Sequence, residues 1–150
     1  MEDETLKIKI VQTMNTSILS VRERTDIRNV DTLMGKAYDL LNKKGIVSLG
    51  APYAIYHSPF FDPGETDLEV GFPVSPAGYY SKVLAGCTCA MCVHKGDYSS
   101  INNTFKQMVE WIEQKGYTIT GMPYERYLNN PREVPTEELL TEVYFPVEKI

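Results

Sequence analysis

Apolar and polar residues alternate from the start of the chain. Leu6, Ile8 and Ile10 are interleaved with Lys7, Lys9 and Val11, the period-two pattern of a strand with one dry face. Ile18-Leu19-Ser20-Val21-Arg22-Glu23-Arg24 reads as a second strand, or as the first resumed after Asn15-Thr16. The period then changes. Over residues 30–44, Leu33, Ala37, Leu40 and Leu41 fall on one helical stripe, with Val30 and Met34 beside them. Asn29 or Asp31 can cap that helix, and Lys43, Lys44 and Gly45 suit its C-terminal end. Strands follow at 53–57 and 68–74, joined by the turn-rich Ser58-Pro59-Phe60-Phe61-Asp62-Pro63-Gly64.

Ser75-Pro76-Ala77-Gly78 is a natural joint. Beyond it, 83–93 reads as one strand and Gly96-Asp97 turns into a helix over about 98–115. Its stripe is Ile101, Phe105, Met108, Val109 and Ile112, and Gly116 closes it. Strands at 124–128 and 142–147 flank a loop over 129–135.

The residues repeat along with the order. The stretch Lys44-Gly45 through Gly50-Ala51-Pro52-Tyr53-Ala54-Ile55-Tyr56 returns 71 residues later as Lys115-Gly116 through Gly121-Met122-Pro123-Tyr124-Glu125-Arg126-Tyr127. Leu68-Glu69-Val70-Gly71-Phe72-Pro73-Val74 returns after 73 residues as Thr141-Glu142-Val143-Tyr144-Phe145-Pro146-Val147. The fold expected is α+β: duplicated β-α-β-β units, about 5–75 and 82–148, related by a pseudo-twofold axis. Together they make a curved antiparallel sheet covered by two helices, with a central ligand cleft. Neither half is expected to bury enough surface alone, so residues 1–150 are read as one domain.

Strand parity selects the chemistry. Val143, Phe145 and Val147 share one face of the last strand, and Glu142, Tyr144 and Pro146 the other. Leu68, Val70, Phe72 and Val74 likewise oppose Glu69 and Gly71. With the apolar face under the helices, the two glutamates either line what the sheet encloses or point to solvent. A carboxylate ringed by aromatics holds organic cations through charge and ring quadrupole together. Parity makes Glu69 and Glu142 the leading candidates, with Tyr144 beside Glu142. The full set of candidate ligand-binding residues adds Tyr53, Tyr56 and Trp111. Trp111 fits a core position equally well. No Arg or Lys lies within two residues of Glu142, but Arg126 or Lys82 could fold back and pair with it.

Cys87-x-Cys89-x-x-Cys92-x-His94 resembles a metal site in spacing only. On a strand, Cys87 and Cys89 face one way and Cys92 and His94 the other, so no metal is expected. No Gly-x-Ser-x-Gly or phosphate loop occurs.

Composition narrows the partners. The 150 residues are 43% hydrophobic and 23% charged, with a net charge of −5. That balance is ordinary for a globular domain and argues against nucleic acid, which needs a basic face. No basic-then-apolar leader and no run near membrane length appear. Three cysteines within 87–92 do not form a secreted disulfide framework, so a cytoplasmic chain is expected.

The repeated motifs, together with His94-Lys95-Gly96-Asp97-Tyr98 and Trp111-Ile112-x3-Gly116-Tyr117, resemble the gyrase-inhibitor-like effector-binding domains. These also serve as ligand domains of multidrug-sensing transcription regulators. The resemblance spans nearly the whole chain. It implies an aromatic-lined cleft between the repeats, with Glu142 as its central carboxylate and bulky, often cationic compounds as ligands. The regulators carry a helix-turn-helix segment before this domain, for which the chain has no room, so a stand-alone version without direct DNA binding is expected. Relatives of that kind sequester compounds, inhibit DNA gyrase, or hydrolyse cyclopropane-containing alkylators. Under this resemblance Glu142 is the catalytic candidate if the chain is an enzyme. Haem-binding relatives exist, but no convincing axial ligand stands out here, and no cofactor is expected.

Overall fold

The structure, a computed structural model, describes residues 7–26, 29–57, 65–76, 82–97, 100–130 and 132–150. The expected turn over 58–64, the joint at 77–78 and Leu6 and Tyr98 lie outside them. β1 (Lys9–Gln12) and β2 (Thr16–Thr25) carry the opening alternation. α1 (Val30–Lys44) buries Leu33, Ala37 and Leu41, leaves Leu40 half-buried, and ends on Gly45 in the left-handed region at φ 67°. Neither expected cap forms: the Asn29 amide donates instead to Thr25 Oγ1 at 2.8 Å. Asp31 sits in the first turn and Lys43 and Lys44 in the last, each matching the dipole.

β3 (Tyr53–Tyr56) and β4 (Thr66–Pro73) complete the first unit. The single strand expected over 83–93 is two strands, β5 (Lys82–Leu84) and β6 (Thr88–Lys95). The break comes where the chain crosses the β1–β2 turn. A Cβ on Gly86 would stand 2.5 Å from the Thr13 carbonyl oxygen. The Gly86 N–H donates to Asn15 Oδ1 at 2.7 Å, and the Thr13 N–H to the Cys87 carbonyl at 2.9 Å.

α2 (Ile101–Gln114) buries Met108 and Ile112, while Ile101, Phe105 and Val109 of the expected stripe are half-buried. Thr104, outside that stripe, is buried because its hydroxyl bonds His94 Nδ1 at 2.7 Å. Beyond α2 come β7 (Tyr117–Ile119), which the apolar pattern did not announce, then β8 (Tyr124–Tyr127), a 3-10 turn (Thr136–Glu138) and β9 (Leu140–Lys149).

The strands pair in the order β1-β6-β9-β8-β3-β4-β2-β5, with β7 on β9, and every pairing is antiparallel. The inner six strands read the same from either end once the units are interchanged. At the centre, Ala54 of β3 pairs with Glu125 of β8, its own counterpart in the repeat. The bonds around that point are reciprocal. Tyr56 N–H donates to Pro123 O and Tyr127 N–H to Pro52 O, both at 3.1 Å; Leu49 N–H reaches Pro73 O and Thr120 N–H reaches Pro146 O, both at 2.8 Å. The pseudo-twofold axis therefore passes through the β3–β8 pair. The leading strands are exchanged: β1 lies on β6 of the second unit and β5 on β2 of the first.

Both helices cover one side of the sheet. α2 packs on Ala90, Cys92, Val143, Phe145 and Val147; α1 packs on Leu68, Val70, Leu19 and Phe72. On the other side Ile18, Ile55, Cys89, Tyr124 and Tyr144 form a single cluster. Ile18 and Cys89 come from strands near opposite ends of the pairing order, so the sheet curls towards this side into a half-barrel.

Candidate functional site

The inside of the curl is built from two cross-strand rows. In one, Tyr144, Tyr124, Ile55 and Glu69 are successive partners across β9, β8, β3 and β4. In the next, Glu142, Arg126, Tyr53 and Gly71 are partners across the same strands. Directly opposed residues have Cβ atoms about 5 Å apart, which brings large rings into contact. Tyr124 and Tyr144 stack with centroids 4.8 Å apart and planes 10° apart, and Tyr53 leans on Tyr124 at 6.0 Å.

Glu142 Oε1 accepts from the Tyr144 hydroxyl at 2.8 Å and from Arg126 Nη1 at 3.2 Å. Arg126 is the cation that folds back, and its guanidinium also lies 5.9 Å from the Tyr53 ring centroid. Burial works against the Arg126 charge, but Tyr53 and then Glu142 outweigh it, and its pKa is raised. Its Nε is buried without a hydrogen-bond partner. Burial first, and the Glu142 carboxylate second, hold the Tyr144 hydroxyl well above the usual phenol range. Tyr144 is therefore a fixed donor rather than a base.

Glu69 lies on the same side but three strand spacings from Glu142, about 14 Å along the sheet. It is 2% exposed. Ser20 Oγ donates to Oε2, His57 Nε2 to Oε1 at 2.8 Å, and Lys82 Nζ reaches both oxygens at 2.9–3.0 Å. Burial pushes the Glu69 carboxyl up, but the bonds from Ser20, Lys82 and His57 more than offset it, and its pKa is lowered. Each acid thus carries its own cation.

Of the residues singled out from the sequence, Glu142, Tyr53 and Tyr144 come together. Tyr56 and Trp111 do not join them. Tyr53 and Ile55 face inward, so strand alternation turns Ala54 and Tyr56 to the helix side. Trp111 belongs to α2 and packs on the helix-side core with Lys115 Nζ 6.0 Å from its ring. Alternation also separates the thiols: Cys87 and Cys89 belong to the inward cluster and Cys92 to the helix side. Among the described residues no group of three or more His, Cys, Asp or Glu is placed to hold a metal.

Tyr124 was missed, although the repeat places it at the position of Tyr53; Arg126 was anticipated as a partner of Glu142 but not as part of the binding face. Glu125 was missed as well. It is 2% exposed on the helix side, where Tyr56 and Tyr127 hydroxyls each donate to Oε1 at 2.7 Å and Oε2 has no partner. Burial pushes its carboxyl up to about 7, and the two tyrosine bonds only partly oppose that.

A curled, duplicated sheet with an aromatic, acid-bearing inner face agrees with the sequence profile that matches residues 6–148, that of the GyrI-like small-molecule-binding domain. The chain belongs to the GyrI-like family. No curated protein matches the sequence significantly. Among solved structures, the EcmrR C-terminal domain superposes with a TM-score of 0.90 at 23% identity, covering 97% of this chain and 99% of that one. In the EcmrR–DNA complex the match (TM-score 0.89, 23% identity, 97% of this chain) spans 58% of the EcmrR chain. A hydrolase from Listeria innocua matches at 0.68, with 17% identity over 95% of this GyrI-like chain and 92% of its own. SAV2435 bound to tetraphenylphosphonium matches at 0.64, with 12% identity over 95% and 94%. These likenesses establish the fold. No helix among the described residues is long and apolar enough to cross a membrane.

Proposed function

We propose that this GyrI-like domain is a cytoplasmic receptor for hydrophobic, aromatic, cationic small molecules. Glu142 is the counter-charge, and Tyr53, Tyr124 and Tyr144 form the platform. The observation that carries this reading is Arg126, a cation lying between a tyrosine face and Glu142. A ligand cation fits the same two partners once Arg126 swings aside. The SAV2435 structure, which holds an organic cation on a related fold, supports that choice of ligand. The three free thiols agree with a reducing compartment.

Fluorescence titration with tetraphenylphosphonium and with neutral triphenylphosphine oxide tests the reading. Glu142→Gln should weaken the cation about tenfold, ~1.4 kcal/mol, and leave the neutral compound within twofold. Equal effects on both remove the carboxylate from the reading, and absence of binding by either removes the receptor.

The Listeria hydrolase favours a second reading, hydrolysis at the same face, and the family resemblance suggests a cyclopropane-bearing electrophile as its substrate. There Glu142 would activate water while the rings hold the substrate. A ring-opened water adduct that forms with the native chain and not with Glu142→Gln supports it. No product under excess protein removes it.

A further inference from the structure

Beside the tyrosine platform lies a pair of thiols that neither reading uses. Cys87 and Cys89 project to the same side of the sheet with their sulfurs 3.5 Å apart. Cys89 is fully buried, and its sulfur is 4.0 Å from the Tyr124 hydroxyl; Cys87 is half-exposed. The spacing is not left to a flexible loop. Thr13 clamps the Cys87 backbone on both sides: its N–H and its hydroxyl donate to the Cys87 carbonyl at 2.9 and 3.1 Å, and its Oγ1 accepts the Cys87 N–H at 2.9 Å.

Three chemistries suit two close thiols, and the surroundings separate them. A structural metal needs at least a third protein ligand, and none is placed to supply one among the described residues. A disulfide needs the sulfurs at about 2.05 Å, with Cα atoms no more than about 6.8 Å apart. Residues two apart on an extended chain stand at about 6.7 Å, the far limit of that range. Oxidation would therefore pull against the Thr13 clamp. A soft, pyramidal centre that brings its own third ligand meets neither obstacle. It bridges two sulfurs near van der Waals separation, and its organic substituent extends over the neighbouring rings.

We propose that Cys87 and Cys89 form a covalent capture site for trivalent aryl arsenicals, with the aryl group lying against Tyr124 and Tyr144. Phenylarsonous acid carries one phenyl group and two hydroxyls on arsenic. The Cys87 sulfur attacks first, because it is half-exposed while burial holds the Cys89 thiol up to about 12. One sulfur–arsenic bond forms, and one hydroxyl leaves as water with the thiol proton. Cys89 then displaces the second hydroxyl in the same way. Two sulfur–arsenic bonds replace two oxygen–arsenic bonds, two waters are released, and arsenic stays trivalent, so no oxidant is needed. The step is independent of Glu142 and stands or falls apart from the receptor reading.

The test is mass spectrometry with thiol counting on the reduced full chain after one equivalent of phenylarsine oxide. One phenylarsenic per chain is expected, with two of the three thiols lost. The adduct should survive excess 2-mercaptoethanol and be stripped by 2,3-dimercaptopropanol. Cys92→Ala should keep it, because that sulfur is on the helix side. Cys87→Ser and Cys89→Ala should each leave only an adduct that 2-mercaptoethanol removes. Circular dichroism confirms folding, and if Cys89→Ala fails to fold, the half-exposed Cys87→Ser decides alone. A monothiol-resistant adduct in Cys87→Ser, its loss in folded Cys92→Ala, or its absence from the native chain overturns the proposal.

Discussion

Arg126 competes with any cation that approaches Glu142, and its removal separates charge recognition from stacking. The pair is partly open to solvent, with side-chain exposures of 34% and 15%, so it is worth about 1 kcal/mol or less. Arg126→Gln should therefore tighten tetraphenylphosphonium about fivefold and leave a neutral analogue unchanged, as titration will read. Glu125 makes the opposite kind of statement, about stability. Its folded pKa of about 7 stands above the ordinary 4.5, so the folded chain holds this proton more tightly than the unfolded chain. The resulting stability is complete below about pH 4.5, drains away up to about pH 7 and is absent above, a loss on the order of 3 kcal/mol. Glu69, whose pKa is lowered, works the other way and loses its contribution as pH falls below 4.5. Urea unfolding should show a more stable chain at pH 5 than at pH 8, and Glu125→Gln should erase most of that difference. The sequence could place Glu125 on the helix-side face by alternation. Nothing in it announced that Tyr56 and Tyr127 would converge there and leave one carboxylate oxygen bare.

At the level of elements, what was legible was whatever depends on local period. α1 has the expected bounds, 30–44, because Leu33, Ala37 and Leu41 repeat at helical spacing and Gly45 ends the run. The faces of β4 and β9 follow from alternation alone, which is why Glu142 and Tyr144 were read as sharing the face away from the helices, lining the enclosed side or pointing to solvent. The break between β5 and β6 was not legible, since its cause is a crossing of chains 74 residues apart rather than any local pattern. Gly86 is its only local trace. A methyl group there meets backbone atoms of Thr13 and Met14 at 2.5 and 2.8 Å, and backbone cannot rotate away as a side chain can. Gly86→Ala should cost about 2 kcal/mol, within the range of overpacking by a methyl group. Thermal unfolding checks this, and a melting temperature equal to the native chain's would mean that the crossing tolerates more space than its geometry shows. The same change should loosen the Thr13–Cys87 clamp.

For the whole molecule, duplication explains both the symmetry of the sheet and the asymmetry of the site. The Ala54–Glu125 pairing fixes the axis, yet the position of Tyr144 is Gly71 in the first unit. There β2 approaches so closely that a Cβ would stand 2.6 Å from Ser20 Cβ. One acid therefore receives a ring from its own half, and the other receives Ser20 and His57 from its own half and Lys82 from the exchanged strand β5. The exchanged strands bind these unequal halves together. β1 belongs in sequence to the first unit but completes the edge of the second; β5 does the reverse. The cores interlock as well: Ile8 and Ile10 pack on the α2 cluster, and Tyr127 and Phe105 on the α1 cluster. A fragment of residues 1–76 would strand β1 without a partner, expose the inner edge of β3 and lose the second-unit residues from its core. Residues 77–150 would lose the mirror-image set. Each fragment alone should lack the dispersed amide spectrum of a folded chain, while the two mixed should recover it with β1 on β6 and β5 on β2. Amide dispersion in a single fragment would show that one repeat folds unaided, and the exchanged strands would then be a late addition to two self-sufficient halves.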